Sequence, residues 1–159
     1  MNPIKLFTDG SVHPASRTGY GAALLVLDPC PELEQLRPHV RLKRFEDTSS
    51  TQLEIETLIW ALQGIPAGRV TVYTDSQNIM SLPKRRARLE KKQYRSSAGA
   101  LLKNAELYQE FFRLVDGLEC TFVKVKGHRQ NDDKTPLDRI FSLVDRASRQ
   151  ALRAELASR

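Results

Sequence analysis

Two short apolar segments of this sequence end in the same way, and that shared ending strongly limits how the chain can fold. Residues 4–8 and residues 69–74 each predict a β-strand, and each leads directly to an aspartate and then a small residue, at Asp9 and at Asp75. In open α/β sheets, ligands bind at the carboxyl ends of the strands. If these two strands are neighbours, the two aspartates face each other at that edge of the sheet.

The remaining apolar patterns place these strands in an α/β domain. Three predicted strands with short connections indicate an antiparallel meander, and the helices and strands that follow indicate a five-stranded mixed sheet flanked by helices, in one domain over residues 1–159. Pro83 is expected to end the second helix. The predicted strands cover residues 4–8, 20–27, 40–45, 69–74 and 119–125. The predicted helices cover residues 52–63, 76–82, 104–115 and 137–157.

Length and composition exclude several classes of protein. A chain of 159 residues suits one domain, and its apolar runs are far shorter than the roughly 20 residues of a membrane helix. The N-terminal segment reaches Asp9 too soon for a signal peptide, so we expect a cytoplasmic protein with Cys30 and Cys120 reduced. Two cysteines without a CxxC spacing do not predict a zinc site or a disulfide framework.

The net charge of +6 is concentrated in one window of the chain. Residues 84–95 contain seven basic side chains and a single acidic one, Glu90, so the window carries the whole net charge and the rest of the chain is neutral. A local basic patch favours a polyanionic partner such as a nucleic acid, while a solvated helix face or a localisation-type basic run has the same composition. The basic residues are Lys84, Arg85, Arg86, Arg88, Lys91, Lys92 and Arg95.

Two carboxylates held close together repel each other unless one is protonated or a cation lies between them. A hard divalent cation with oxygen ligands, such as Mg²⁺, meets this need. Glu54 lies in the first turn of the helix predicted over residues 52–63 and could reach the same place, but a glutamate three residues after Thr51 also fits a capping box. Asp145 in the C-terminal helix equally fits a surface ion pair with Arg149 at i+4.

Five segments of the sequence occur together in one known family. Their order, and the element predicted for each, closely resemble ribonuclease H of type 1, the RNase HI family, over nearly the whole chain. This resemblance implies an RNase H-like fold. The segments are FTDGS at residues 7–11, QLE at 52–54, YTDSQ at 73–77, VKGH at 125–128 and VDRASR at 144–149.

The same resemblance implies a reaction and a set of catalytic residues. The reaction is endonucleolytic hydrolysis of the RNA strand of an RNA–DNA hybrid, which leaves 5′-phosphate and 3′-hydroxyl ends. By this resemblance Asp9, Glu54, Asp75 and Asp145 bind two Mg²⁺ ions, with Mn²⁺ as an alternative metal. His128 is then expected to help proton transfer and product release.

The resemblance also locates the contacts with the hybrid, near two helix starts and in a basic protrusion over residues 83–103. Family members have asparagines near Ser50 and Thr51, so we expect altered hydrogen bonds in the minor groove. Many members also have several tryptophans in the protrusion, where this chain has Tyr94 instead. The residues expected to contact the hybrid are Gly10, Ser11, Ser50, Thr51, Gln77, Lys84, Arg85, Arg86 and Arg88.

Three alternatives stay open from the sequence. Asp138 is a rival to Asp145 for the fourth carboxylate, although Val144 and Ala147 flank Asp145 as the family pattern requires. The chain could be a module that binds hybrids without cutting them, although the intact carboxylate set speaks against this. It could also be another metal-dependent nuclease of the same fold, such as a resolvase or a 3′–5′ exonuclease. We expect a monomer with no obligate protein partner and no membrane contact.

Overall fold

The structure is a computed structural model that describes residues 3–27, 31–126 and 134–159. Within these ranges, five strands form one sheet in the order β3-β2-β1-β4-β5. The strands are β1 (Ile4–His13), β2 (Thr18–Val26), β3 (Arg41–Phe45), β4 (Arg69–Thr74) and β5 (Glu119–Lys124). The helices are α1 (Leu33–Leu36), a 3₁₀ turn (Arg37–His39), α2 (Ser50–Gln63), α3 (Gln77–Lys91), α4 (Ala105–Asp116) and α5 (Pro136–Ala157).

The sheet confirms the predicted topology. Strands β1, β2 and β3 pair antiparallel, as a meander does, and β4 pairs parallel with both β1 and β5. The last parallel pair between β1 and β4 joins Phe7 to Tyr73, whose rings stack with their centroids 4.6 Å apart. Asp9 and Asp75 each come two residues later, so the register brings both to the same end of the sheet.

Strand β1 is longer than the sequence suggests, and the predicted end at residue 8 is wrong. Asp9 lies inside β1, opposite Ala22 of β2, and the hairpin continues until His13 pairs with Thr18. An Asp-Gly-Ser sequence is typical of turns. Here the antiparallel partner supplies the hydrogen bonds of this backbone, so the chain turns only after His13.

The predicted starts and ends of two helices are also wrong. Helix α2 begins at Ser50, and Ser49 caps it by accepting a hydrogen bond from the Gln52 amide at 3.3 Å, so Thr51 is not the cap. Helix α3 continues through Pro83, which is exposed. An interior proline costs about 3 kcal/mol, while each fully buried aliphatic side chain contributes about 1.5–3 kcal/mol. Ile79 and Leu82 are buried on the inner face of α3, and their burial offsets the proline.

The described core lies on both faces of the sheet. On one face Leu6, Val70 and Val72 pack under α2 and α4. On the other face Phe7 and Tyr73 pack under α5 with several further side chains. None of the helices in the described residues is long and apolar enough to span a membrane.

Helix α2 lies unusually close to the sheet, and glycines make this possible. A Cβ atom at Gly21 would lie 2.2 Å from the Thr57 hydroxyl oxygen, and one at Gly10 or Gly19 would lie 2.9 or 2.8 Å from Leu53. Any larger residue would therefore push the helix outward. The close approach holds the start of α2, and with it Glu54, over the end of β1.

We predict that Gly21→Ala destabilises the protein by about 1–3 kcal/mol, because its methyl group overlaps Thr57. Urea unfolding measures this loss. Adding Thr57→Ala to the same chain should recover part of it. Gly117→Ala is the matched control, since a Cβ there has ordinary contacts. A Gly21→Ala variant as stable as the control would show that α2 is free to shift.

Candidate active site

The two strand-end aspartates form the centre of the candidate site. Asp9 lies in β1 and Asp75 follows the last residue of β4, in matching register. Both side chains are half-buried. The negative charge of Asp75 raises the pKa of Asp9 and also that of Glu54, which shows that these three carboxylates are close together.

Glu54 reaches the site from helix α2, which packs on the face of the sheet opposite to helix α5. It is the fifth residue of α2, so the capping-box interpretation of this side chain is wrong. Its carboxylate accepts a hydrogen bond from the Ser76 hydroxyl. That hydroxyl also accepts a hydrogen bond from the Ile79 amide at 3.1 Å and so caps α3. Ser76 therefore connects Glu54 to the helix that begins beside Asp75.

Helix α5 brings Asp145 to the same place. The Ser11 and Ser148 hydroxyls lie 3.2 Å apart and join β1 to α5, and Val144 is fully buried beside them. Asp145 is among the groups that raise the pKa of Asp9, so its carboxyl group lies near that of Asp9. The predicted ion pair between Asp145 and Arg149 is present as well. An ion pair with Arg149 is therefore compatible with a position of Asp145 beside Asp9.

Asp138, the rival of Asp145, has a structural position at the start of α5. Its carboxylate accepts a hydrogen bond from the Thr135 amide at 3.0 Å, and the Thr135 hydroxyl accepts one from the Asp138 amide at 3.2 Å. These bonds form a capping box. Asp145 lies two turns further along the helix, where its charge acts on Asp9.

The site is electrostatically strained without a cation. Burial, the charge of Asp75 and the hydrogen bond with Asp145 raise the pKa of Asp9 to about 8, although a hydrogen bond from the Gly10 backbone opposes the rise. Burial first, and then the charge of Asp75, raise the pKa of Glu54, while the Ser76 hydroxyl lowers it. Burial and the neighbouring carboxylates therefore favour the protonated form of Asp9.

The donor set fits a hard divalent cation in its chemistry. All of the candidate ligands are carboxylate oxygens, which Mg²⁺ and Mn²⁺ prefer. Among the described residues, however, no three acidic, histidine or cysteine side chains converge closely enough to hold a metal ion as they stand. The reason is visible for two of the carboxylates, since Glu54 is engaged with Ser76 and Asp145 with Arg149. Metal binding would exchange these contacts.

His128 lies outside the described residues, as does the rest of the segment 127–133. The described chain before it leads to the site. The Val125 amide donates a hydrogen bond to the Thr74 carbonyl at 2.9 Å, one residue before Asp75. The role expected for His128 stays a prediction.

The residues predicted to contact a minor groove lie at the starts of helices near the carboxylates. Ser50 and Thr51 are exposed in the first turn of α2, and Gln77 is the exposed first residue of α3. Lys124 of β5 donates a hydrogen bond to the Gln77 side-chain oxygen at 2.8 Å. Sequence reasoning missed Lys124, although the pairing of β4 with β5 places it opposite Thr74.

Two other predicted contact residues have packing roles. A side chain at position 10 would strike Leu53, so Gly10 lies under α2. The Ser11 hydroxyl is within hydrogen-bonding distance of Ser148. Both residues therefore help to hold α2 and α5 around Asp9.

The basic window divides into residues that stabilise the fold and residues that face solvent. Arg86 binds both carboxylate oxygens of Asp116, at 2.6 and 2.7 Å, and also Glu90 at 2.8 Å. Arg85 donates to the Asn78 side-chain oxygen at 2.9 Å. Lys84 and Arg88, by contrast, are exposed.

The aromatic side chain of the window is not presented for stacking. Tyr94 is 8% exposed and packs into the core, with a left-handed backbone at φ 58°. It lines a shallow surface pocket together with Arg88, Lys92 and Arg95. The outer surface of this region is therefore basic rather than aromatic.

Comparison with known proteins agrees with the fold. A family model described as RNase H matches residues 1–152, and the chain belongs to this family. A ribonuclease H of Caldicellulosiruptor saccharolyticus is 27% identical over 132 residues, which cover 80% of this chain and 86% of that protein.

Two solved structures share the fold. One is the crystal structure of LC9-RNase H1, described as a type 1 RNase H with the type 2 active-site motif. It has a TM-score of 0.71 and 17% identity, and the match covers 93% of this chain and 71% of that one. The other is a foamy viral protease-reverse transcriptase in complex with an RNA/DNA hybrid. It has a TM-score of 0.69 and 12% identity, and the match covers 92% of this chain and 19% of that one.

We predict that Asp9→Asn stabilises the metal-free protein at pH 8. The pKa of Asp9 rises from 3.8 to about 8 on folding, so the folded state binds this proton more tightly than the unfolded state does. The resulting stability is complete below about pH 4 and is lost as the pH rises towards 8. The variant should exceed the wild type at pH 8 by at least about 1.4 kcal/mol, which corresponds to one pKa unit.

Urea unfolding in EDTA, from pH 4 to pH 8, measures this difference. Asp47→Asn is the matched control, because the Asp47 side chain is 89% exposed. A difference between wild type and Asp9→Asn that does not grow with pH would mean that Asp9 ionises normally in the fold.

Proposed function

We propose that this protein is an endonuclease that hydrolyses the RNA strand of RNA–DNA hybrids with two Mg²⁺ ions and leaves 5′-phosphate and 3′-hydroxyl ends. The observation that carries the proposal is the gathering of carboxylates from β1, α2, α5 and the end of β4 at one edge of the sheet, in a chain of the RNase H family. A protein of the same fold, the foamy viral enzyme, has been solved with an RNA/DNA hybrid.

The proposed ligands of the ions are Asp9, Glu54, Asp75 and Asp145. When bound, the ions would lower the pKa of the attacking water and stabilise the leaving 3′ oxygen. The cation charge would release the proton that Asp9 keeps in its absence, so that this carboxylate can coordinate. Mn²⁺ has the same preference for oxygen and is expected to substitute.

Catalysis explains the charge of the site better than binding alone does. Acidic groups clustered at a surface repel the phosphates of a nucleic acid. A module that only binds hybrids has no use for such a cluster. A site that brings metal ions to the scissile phosphate requires it, so we favour an enzyme over a binding module.

The groups around the carboxylates suit a hybrid substrate. The hydrogen bond between Glu54 and Ser76 joins the starts of α2 and α3, so Ser50 and Gln77 flank the carboxylates. Hydroxyl and amide groups can bind 2′-hydroxyls and base edges in a minor groove, which is how proteins distinguish RNA from DNA. His128, expected to relay protons, completes the proposal.

The exposed part of the basic window would supply affinity that does not depend on sequence. Lys84 and Arg88 face solvent and would meet phosphates, whereas Arg86 is engaged with Asp116 and Glu90. Contacts of this kind release counterions and weaken steeply with salt. The window would therefore hold the substrate without choosing its sequence.

We predict that Lys84→Gln combined with Arg88→Gln reduces the salt dependence of hybrid binding. Each lost phosphate contact should lower the slope of log K against log salt by about 0.9, or by about 2 in total. Fluorescence anisotropy in EDTA measures binding without cleavage. Arg86→Gln is the control and should keep the wild-type slope. Equal slopes for all three proteins would exclude the exposed window from binding.

The proposed activity is tested with end-labelled substrates. With Mg²⁺, the RNA of the hybrid should be cut, and duplex RNA, duplex DNA and single strands should stay intact. Asp75→Asn should lower the rate at least about a hundredfold, because a metal ligand is lost, while Asp47→Asn should retain activity. Tight hybrid binding without cutting in Mg²⁺ or Mn²⁺ would favour the binding module. Cutting of duplex DNA would favour another nuclease of this fold.

A further inference from the structure

We propose that Arg149 competes with Mg²⁺ for the carboxylate of Asp145 and thereby sets the metal concentration that the site requires. This inference rests on the proposed function, because it needs a metal ion at Asp145. It adds a residue that acts on metal affinity and that is not itself a proposed ligand. Arg149 is thus a positioning residue in this account.

The geometry of α5 gives Asp145 two competing partners. Arg149 lies one turn further along the helix, and its guanidinium donates a hydrogen bond to one oxygen of Asp145. The same carboxyl group lies near Asp9, whose pKa it raises, and the Ser11 and Ser148 hydroxyls, 3.2 Å apart, join α5 to the strand that carries Asp9. Asp145 therefore stands between the carboxylate cluster and a cation that the protein itself provides.

The ion pair between Asp145 and Arg149 is weak enough for a divalent cation to replace it. The side chains of Asp145 and Arg149 are 28% and 44% exposed, and pairs as exposed as this one are weak. A divalent cation that several carboxylates bind together can displace such a partner. The pair would hold Asp145 in place in the metal-free protein and yield when the ion arrives.

Two effects of Arg149 act in the same direction. The hydrogen bond engages one Asp145 oxygen, and a fixed positive charge within a few ångströms repels an incoming cation. Both effects weaken metal binding. Removing the Arg149 guanidinium should therefore tighten it, mainly through the freed Asp145 oxygen and to a smaller extent through the lost charge.

The same helix offers a matched control. Arg146 is exposed and directly follows Asp145, so Arg146→Gln removes the same charge from nearly the same place. Ion pairing along a helix joins residues three or four apart and not adjacent ones. A general charge effect would change both variants alike, whereas the proposed pair affects only Arg149→Gln.

The test is calorimetric titration of the metal-free protein with Mg²⁺ and with Mn²⁺, without substrate and at constant ionic strength. Arg149→Gln should bind about two- to fivefold more tightly than the wild type, the range that an exposed ion pair supplies. Arg146→Gln should stay within about 1.5-fold of the wild type. Arg149→Lys, which keeps the charge, should lie between wild type and Arg149→Gln.

A second readout separates metal affinity from substrate binding. In cleavage assays Arg149→Gln should reach half of its maximal rate at a lower Mg²⁺ concentration, with an unchanged KM for the hybrid. A raised KM would identify Arg149 as a phosphate contact and overturn the inference, as would unchanged or weaker metal affinity. Absence of metal binding by the wild type as well would overturn the proposed metal site itself, and the inference with it.

Discussion

Repulsion among carboxylates at one edge of the sheet is the constraint on which the rest of this structure depends. The parallel register of β1 and β4 brings Asp9 and Asp75 together, and partial burial limits the screening of their charges by water. The raised pKa of Asp9 favours its neutral form, and Ser76 and Arg149 donate hydrogen bonds to Glu54 and Asp145. In the proposed function the same strain supplies affinity for a cation, so the feature that costs stability is the one that the proposed chemistry uses.

The scaffold holds this cluster by fixing each element separately. Glycines let α2 approach the sheet closely, with Leu53 directly over Gly10. The Ser11 and Ser148 hydroxyls join β1 to α5. Because each carboxylate arrives on a different element, no single local motif creates the site. The site exists only when the sheet and both of these helices have packed, which ties the proposed activity to the complete fold.

The sequence predicted the sheet and its central pair of aspartates because both follow from periodicity and from where strands end. The roles of Glu54 and Asp145 were harder to predict, since a capping box and a surface ion pair explain them equally well. Only the resemblance to a family favoured metal ligands. Side-chain contacts between residues far apart in the sequence could not be predicted. Nothing in the basic window indicates that Arg86 binds Asp116, which is 30 residues away. The prediction that Pro83 ends α3 was wrong for the same reason. The destabilisation by proline is local, whereas the burial of side chains that offsets it depends on tertiary packing.

The central claim is that the carboxylate cluster keeps a proton until a cation replaces it. Its most direct test is a ¹³C NMR titration of the aspartate carboxyl carbons, with Asp9→Asn used to assign the resonance. In EDTA, Asp9 should titrate with a pKa of about 8, and saturating Mg²⁺ should lower that pKa markedly. An Asp9 resonance that titrates near pH 4 in EDTA and does not respond to Mg²⁺ would contradict this account.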